Sequence, residues 1–294
     1  MKRFISILLV LMVFTGAVLP AYAADMSQSR AVIGADLSED QINQVYQSFG
    51  LFRGQVPELF VTNAEERYYL QGLVDESIIG TRSISCVFVQ LLPANTGMDV
   101  TTRNITWCTP QMYINALNTA GITDAKVIVS APVPVSGTAG LTGIYKAYES
   151  MTGQGLDAQA KQAGTQELTI TGELAQQIGQ ASSLSIVQEL KQILDQTRNM
   201  TDEQIYAQIQ SIASRYNVSL TDTQYRQLIS LCRSLEGLDS GSIQDRVEGV
   251  QSTIGKVAQA KDSVVSFIDN LRELVATLQN ILSRLESLFG SSEG

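Results

Sequence analysis

The chain has 294 residues, a formal net charge of −9 and no histidine. The missing imidazole excludes His-containing triads, Cys–His dyads and His metal sites, and leaves Ser–Lys and paired-carboxylate chemistry formally open. An acidic chain without basic runs argues against nucleic acid and against electrostatic docking on anionic lipid, because both need clustered Lys and Arg.

Lys2 and Arg3 precede an apolar run from Ile5 to Leu19, followed by Pro20 and the small-residue pattern Ala21-Tyr22-Ala23. This order predicts a signal peptide over 1–23, cut between Ala23 and Ala24. The run is short for a membrane span and Pro20 ends it, so no stable span is expected after cleavage. An uncleaved N-terminal anchor is the rival reading. The expected product is an exported protein, extracellular or associated with the cell wall. Losing Lys2 and Arg3 takes its formal charge from −9 to −11.

Ser38 and Gln41 form a capping box, with Leu37 and Ile42 as its hydrophobic staple, and predict a helix from there to about Phe49. Gly50 supplies the stop. The same cassette returns at Met200–Ile205 and Leu220–Tyr225, where shared capping physics accounts for it without duplication. Glu58–Thr62 reads as a short strand. Thr62 to about Leu73 reads as a helix whose adjacent Glu65 and Glu66 point in different directions. They are a poor acid–base pair and suit first-turn carboxylates facing the helix dipole.

Ile84–Leu92 alternates and is β-branched, Pro93–Gly97 is a turn, and Val100–Trp107 reads as the returning strand. Thr109, Pro110 and Gly121 bracket a helix. Lys126–Ala131 suits a strand buried on both faces, closed by Pro132 and Pro134. Ser136–Gly140 then leads into a helix carrying Leu141, Ile144, Tyr145, Tyr148 and Met151. The crossover through the Thr109 helix implies a right-handed connection. Thr152–Thr165 suits a linker and Gln166–Thr171 an edge strand. Three helical stripes follow, ending in a hinge over Gly237–Ser242.

From Ile243 to Phe289, apolar residues recur at alternating steps of four and three, broken only by Lys261. A 3.5-residue period held this long predicts a heptad-patterned helix of about 70 Å. Phe267, Leu274, Ile281 and Leu288 widen its second half beyond a two-stranded seam. It therefore reads first as the spine of an intramolecular bundle and second as a homo-oligomer contact. The expected fold class is α+β. A small mixed β-sheet domain with flanking helices spans 24–165, a helical region 166–241, and the long helix and tail 242–294.

The candidate site is the turn Ser136, Gly137, Thr138 and Gly140, between a strand and a helix. Backbone N–H groups at a helix start, with glycines allowing close approach, can hold an anion or ligand. The turn lacks the Gly-Lys-Ser/Thr ending of a P-loop and the G-x-G-x-x-G of a dinucleotide site, so glycine dihedrals alone also account for it. A Ser136 nucleophile would need a base, and Lys146 is the nearest lysine in sequence. Trp107 suits a core or hairpin-covering role better than a stacking platform. Cys86, Cys108 and Cys232 are an odd count for an exported protein. A disulfide between Cys86 and Cys108 and three small buried apolar residues are both open readings. No cofactor or metal is expected: no EF-hand loop is present, and the acidic residues lack ligand spacing.

Several stretches together resemble one family: Val61-Thr62-Asn63 with Glu65-Glu66-Arg67, Asn104-Ile105-Thr106-Trp107, Ala116-Leu117 with Thr119-Ala120-Gly121, and above all Ala131 through Ile144. In this the chain is similar to the YpuA-like exported proteins of Gram-positive, largely spore-forming bacteria, catalogued as a domain of unknown function. The resemblance runs to about residue 235, departs from the pattern at Gly140, and brings no known activity, cofactor or catalytic residue. The reading is an exported, non-catalytic protein that binds a cell-wall polymer or an envelope protein. The alternatives are an envelope hydrolase using carboxylates or the Ser136 turn, and a structural oligomer built on the C-terminal helix.

Overall fold

The computed structural model describes residues 26–238 and Ile243. The expected signal sequence and, apart from Ile243, the heptad tract lie outside the described residues. A single 3-10 turn, Met26–Gln28, leads into β1 (Ser29–Gly34), α1 (Glu39–Phe49), β2 (Glu58–Val61), α2 (Asn63–Leu70) and α3 (Glu76–Ile79). Then come β3 (Cys86–Leu91), β4 (Met98–Ile105), α4 (Pro110–Ala120), β5 (Ala125–Val135) and α5 (Thr138–Thr152). Five helices complete the described chain: α6 (Ala158–Ile178), α7 (Gln180–Gln192), α8 (Leu194–Thr197), α9 (Asp202–Arg215) and α10 (Asp222–Glu236).

The helix starts are where local chemistry requires them. Ser38 with Gln41, Thr62 with Glu65, Thr201 with Gln204 and Thr221 with Gln224 all form reciprocal capping boxes. Each satisfies two backbone donors that the first turn leaves open.

The sheet runs β2-β1-β3-β5-β4 and is mixed: β1 pairs β2 in parallel, β3 runs antiparallel to both β1 and β5, and β4 pairs β5 in parallel. Two expectations change here. β3 and β4 are not a hairpin, because β5 lies between them after α4 has carried the chain across. β5 also continues through Pro132 and Pro134. Its pairing with β3 ends at Ser130, while Val135 still pairs with Ile105. Beyond Ser130 the strand therefore has an open side, where a proline without an N–H removes no ladder bond.

Strand alternation divides the core into two faces. Val87, Val89, Val127 and Val129 pack with Met112, Tyr113 and Leu117 of α4 and with Leu141, Ile144 and Tyr145 of α5. Ala31, Ile33, Cys86, Phe88 and Ile128 point the other way, against Ile42, Val45, Tyr46 and Phe49 of α1. This arrangement corrects the disulfide expectation. Cys86 belongs to the α1 face and Cys108 to the α4–α5 face, with the sheet between them, and all three cysteines are free and buried. Burial pushes the Cys86 and Cys108 thiols up to about 12, leaving them poor nucleophiles.

A second core is formed by α6 to α10, around Ile186, Leu190, Ile209, Leu228 and Leu231, and Ile243 is buried within it. Gln166–Thr171, expected as an edge strand, lies inside α6, as does the expected boundary at 165/166. The β-branched residues suit a helix here because their hydroxyls find partners in it. Thr165 Oγ1 donates to Lys161 O at 2.8 Å and Thr171 Oγ1 to Glu167 O at 2.6 Å. Gly172 admits the sole tryptophan, since a Cβ there would lie 2.3 Å from Trp107 Cζ2. A buried ion pair ties α4, α6 and α7 together. Lys191 Nζ donates to Glu167 Oε1 at 3.0 Å and to Thr119 Oγ1 at 2.8 Å, while Thr119 donates to Glu167 Oε2. Among the described residues no helix is long and apolar enough to cross a membrane.

Candidate functional site

Two concavities flank α2. Successive helical side chains diverge by about 100°, so Glu65 and Glu66 serve different ones. Glu65 conforms to the first-turn expectation. Its Oε2 accepts from Thr62 N at 2.8 Å and Thr62 Oγ1 at 2.9 Å, and its Oε1 pairs with Lys146. Desolvation pushes its carboxyl up, but the Lys146 ammonium and the Thr62 donors hold it below the ordinary range.

Glu65 borders a groove of about 460 Å³ between α2 and α5, whose walls include Tyr68, Tyr69, Tyr145, Lys146 and Glu149. Tyr68 is 83% exposed and meets Tyr69 edge-on, with ring centroids 5.0 Å apart. Lys161 Nζ lies 5.6 Å from the Tyr69 ring centre and donates to Glu149 Oε1 at 2.7 Å. The groove thus offers aromatic faces among charges that are already paired with one another.

Glu66 departs from the expectation. It is 1% exposed and points into the second cleft, about 300 Å³, bounded by α2, α3 and the β5–α5 turn. Ser136, Thr138 and Ser85 also line it. Thr138 Oγ1 donates to Glu66 Oε1 at 2.6 Å, and Asn63 Nδ2 to Oε2 at 3.5 Å. Burial pushes the Glu66 carboxyl up to about 7, against the lowering effect of the Thr138 and Asn63 hydrogen bonds and of the Arg67 charge.

The predicted turn is therefore divided. Ser136 and Thr138 face the cleft, but Gly137 and Gly140 face the core. Gly137 caps α5 at φ +99°, its carbonyl accepts from Tyr113 Oη at 2.5 Å, and a Cβ there would lie 2.4 Å from Ile105 Cγ2. A Cβ on Gly140 would lie 2.8 Å from Val129 Cγ1. These glycines let α5 start against α4 and β5 and do not open the backbone to a ligand. The Glu66 carboxyl also stands at the start of α5, where its charge would oppose an anion. Lys146, the nearest lysine to Ser136 in sequence, is turned to Glu65, and Ser136 Oγ donates to Ile78 O at 2.8 Å. Trp107 packs beside Leu70, Val74 and Ile79, as a covering role requires. Sequence reasoning missed Glu66, whose only local signal is a carboxylate one step past the capping position.

The fold and its two clefts define a mixed α+β protein with a five-stranded sheet. The chain belongs to the family described as "Protein of unknown function (DUF1002)", which matches residues 33–253. It is 34% identical over 255 residues to the uncharacterized protein YpuA of Bacillus subtilis (strain 168), covering 85% of this chain and 87% of that relative. No solved structure matches it.

Proposed function

We propose that the protein is exported and acts without catalysis, holding an envelope polymer in the tyrosine groove between α2 and α5. The observation that carries this reading is Tyr68, a large aromatic side chain left 83% exposed beside a 460 Å³ concavity. An exposed tyrosine gives a ring-bearing ligand an apolar face and a polar tip at low entropic cost. Because Glu65–Lys146 and Glu149–Lys161 neutralise one another, the groove favours a largely uncharged segment such as a glycan over a strongly charged one. The N-terminal pattern of Lys2, Arg3, the apolar run and Ala21-Tyr22-Ala23 supports export, which would bring the groove to the cell wall.

The test is retention of the mature protein on purified peptidoglycan, teichoic acid and envelope extracts. Retention on peptidoglycan is expected, weakened roughly three- to tenfold by Tyr68→Ala. A wild-type protein that passes through all three, or a Tyr68→Ala variant that binds as tightly, would sink the reading.

A further inference from the structure

The cleft on the other side of α2 has a different chemistry. Glu66 and Thr138 are each 1% exposed and Ser85 is 4% exposed, yet all three line it. The protons of its two central hydroxyls are already engaged, that of Ser136 with Ile78 O and that of Thr138 with Glu66 Oε1. Their oxygens lie 3.3 Å apart and are left as acceptors. With the carboxylate they make a cluster of lone pairs, and Ser85 adds a hydroxyl that makes no hydrogen bond among the described residues.

The neighbouring cations are directed elsewhere. Arg67 donates to Asn63 Oδ1 at 2.9 Å, Glu76 Oε2 at 2.6 Å and Gly80 O at 2.7 Å. Lys146 pairs with Glu65, and Arg82 Nη2 donates to Asp36 O at 2.6 Å. A buried carboxylate without a cationic partner is unfavourable unless it takes a proton or meets a cation. An ammonium group brings three donors and no acceptor, the complement of this cluster. Ile78, Ile79, Ile84 and Val135 supply apolar wall for a carbon skeleton, which a bare metal ion would not use.

We propose that this cleft binds the protonated primary amino group of a small ligand, with Glu66 as counter-ion and the Ser136 and Thr138 oxygens as further acceptors. At about 300 Å³ the cleft suits a ligand of the size of an amino sugar or of the first residue or two of a peptide. This site is separate from the tyrosine groove and does not depend on it.

The test titrates the full mature chain by calorimetry at about pH 7.4, where the amino groups are still largely protonated, with D-glucosamine and with L-alaninamide. The blocked controls are N-acetylglucosamine and N-acetyl-L-alaninamide, and potassium chloride alone is the inorganic one. At least one amine should bind about tenfold more tightly than its acetylated form and raise Tm. Which amine does so separates the sugar source from the peptide source. Glu66→Gln, checked for native circular dichroism, should lower that affinity by about tenfold or more. If the variant does not fold, the amine against its acetylated form still decides. Equal binding of free and blocked forms overturns the proposal. So does no binding of either amine up to roughly 10 mM, a Tm rise with potassium equal to that with the amine, or unchanged affinity in a folded Glu66→Gln protein.

Discussion

Replacing Glu66 by Gln isolates the energetic consequence of burying this carboxyl. The folded protein raises it from 4.5 to about 7, so the native state holds the proton more tightly than the unfolded chain. A raised pKa contributes stability that is fully present below about pH 4.5 and is lost as the pH rises through about 7. At 1.36 kcal/mol per pH unit, that interval corresponds to a loss of roughly 3 kcal/mol by about pH 8.5. Gln stays neutral throughout and its carbonyl can still accept from Thr138. The stability of Glu66→Gln relative to wild type should therefore improve by about 3 kcal/mol between about pH 4.5 and 8.5, or roughly 6–12 °C in Tm. Urea denaturation followed by circular dichroism at both pH values measures it, and the titrations of all other groups cancel in the difference. A gap between variant and wild type that stays constant to within about 0.5 kcal/mol would refute the assignment of a strained, buried carboxylate.

Two further substitutions probe the packing. Lys191→Met leaves Glu167 buried without its partner and should cost about 3–5 kcal/mol, whereas Lys191→Met with Glu167→Leu should recover most of it; urea midpoints of the two variants decide, and a single-variant loss below about 1 kcal/mol would contradict the pairing. Gly172→Ala places a methyl 2.3 Å from Trp107 Cζ2, so the indole must move. A loss of about 1–3 kcal/mol and a shifted tryptophan emission are expected, and an unchanged spectrum with unchanged Tm would show that the contact is slack.

Local chemistry was legible in the sequence. The capping residues Ser38, Thr62, Thr201 and Thr221 mark helix starts because every atom of the motif lies within a few positions. What depends on distant neighbours was hidden. β1 went unread because Ala31, Val32 and Ile33 are a short apolar run without alternation, and only β2 and β3 on either side make it a strand. Thr169, Ile170 and Thr171 look like strand residues in isolation, but burial beside α4 and α7 holds them in a helix. At the site, the Ser136 turn is legible, but not the part its glycines play. Its glycines serve packing, and the charge that gives the cleft its character comes from Glu66, more than seventy positions earlier in the chain.

Helix α6 lends Leu168 to the sheet core and Ile170 and Leu174 to the helical core. Neither half can loosen without uncovering one side of the same rod, so the described chain should melt as a single cooperative unit. Protease should find no early nick between 158 and 178, and a partner that grips the sheet side would have its binding free energy read out as slower exchange of amide protons in α9 and α10.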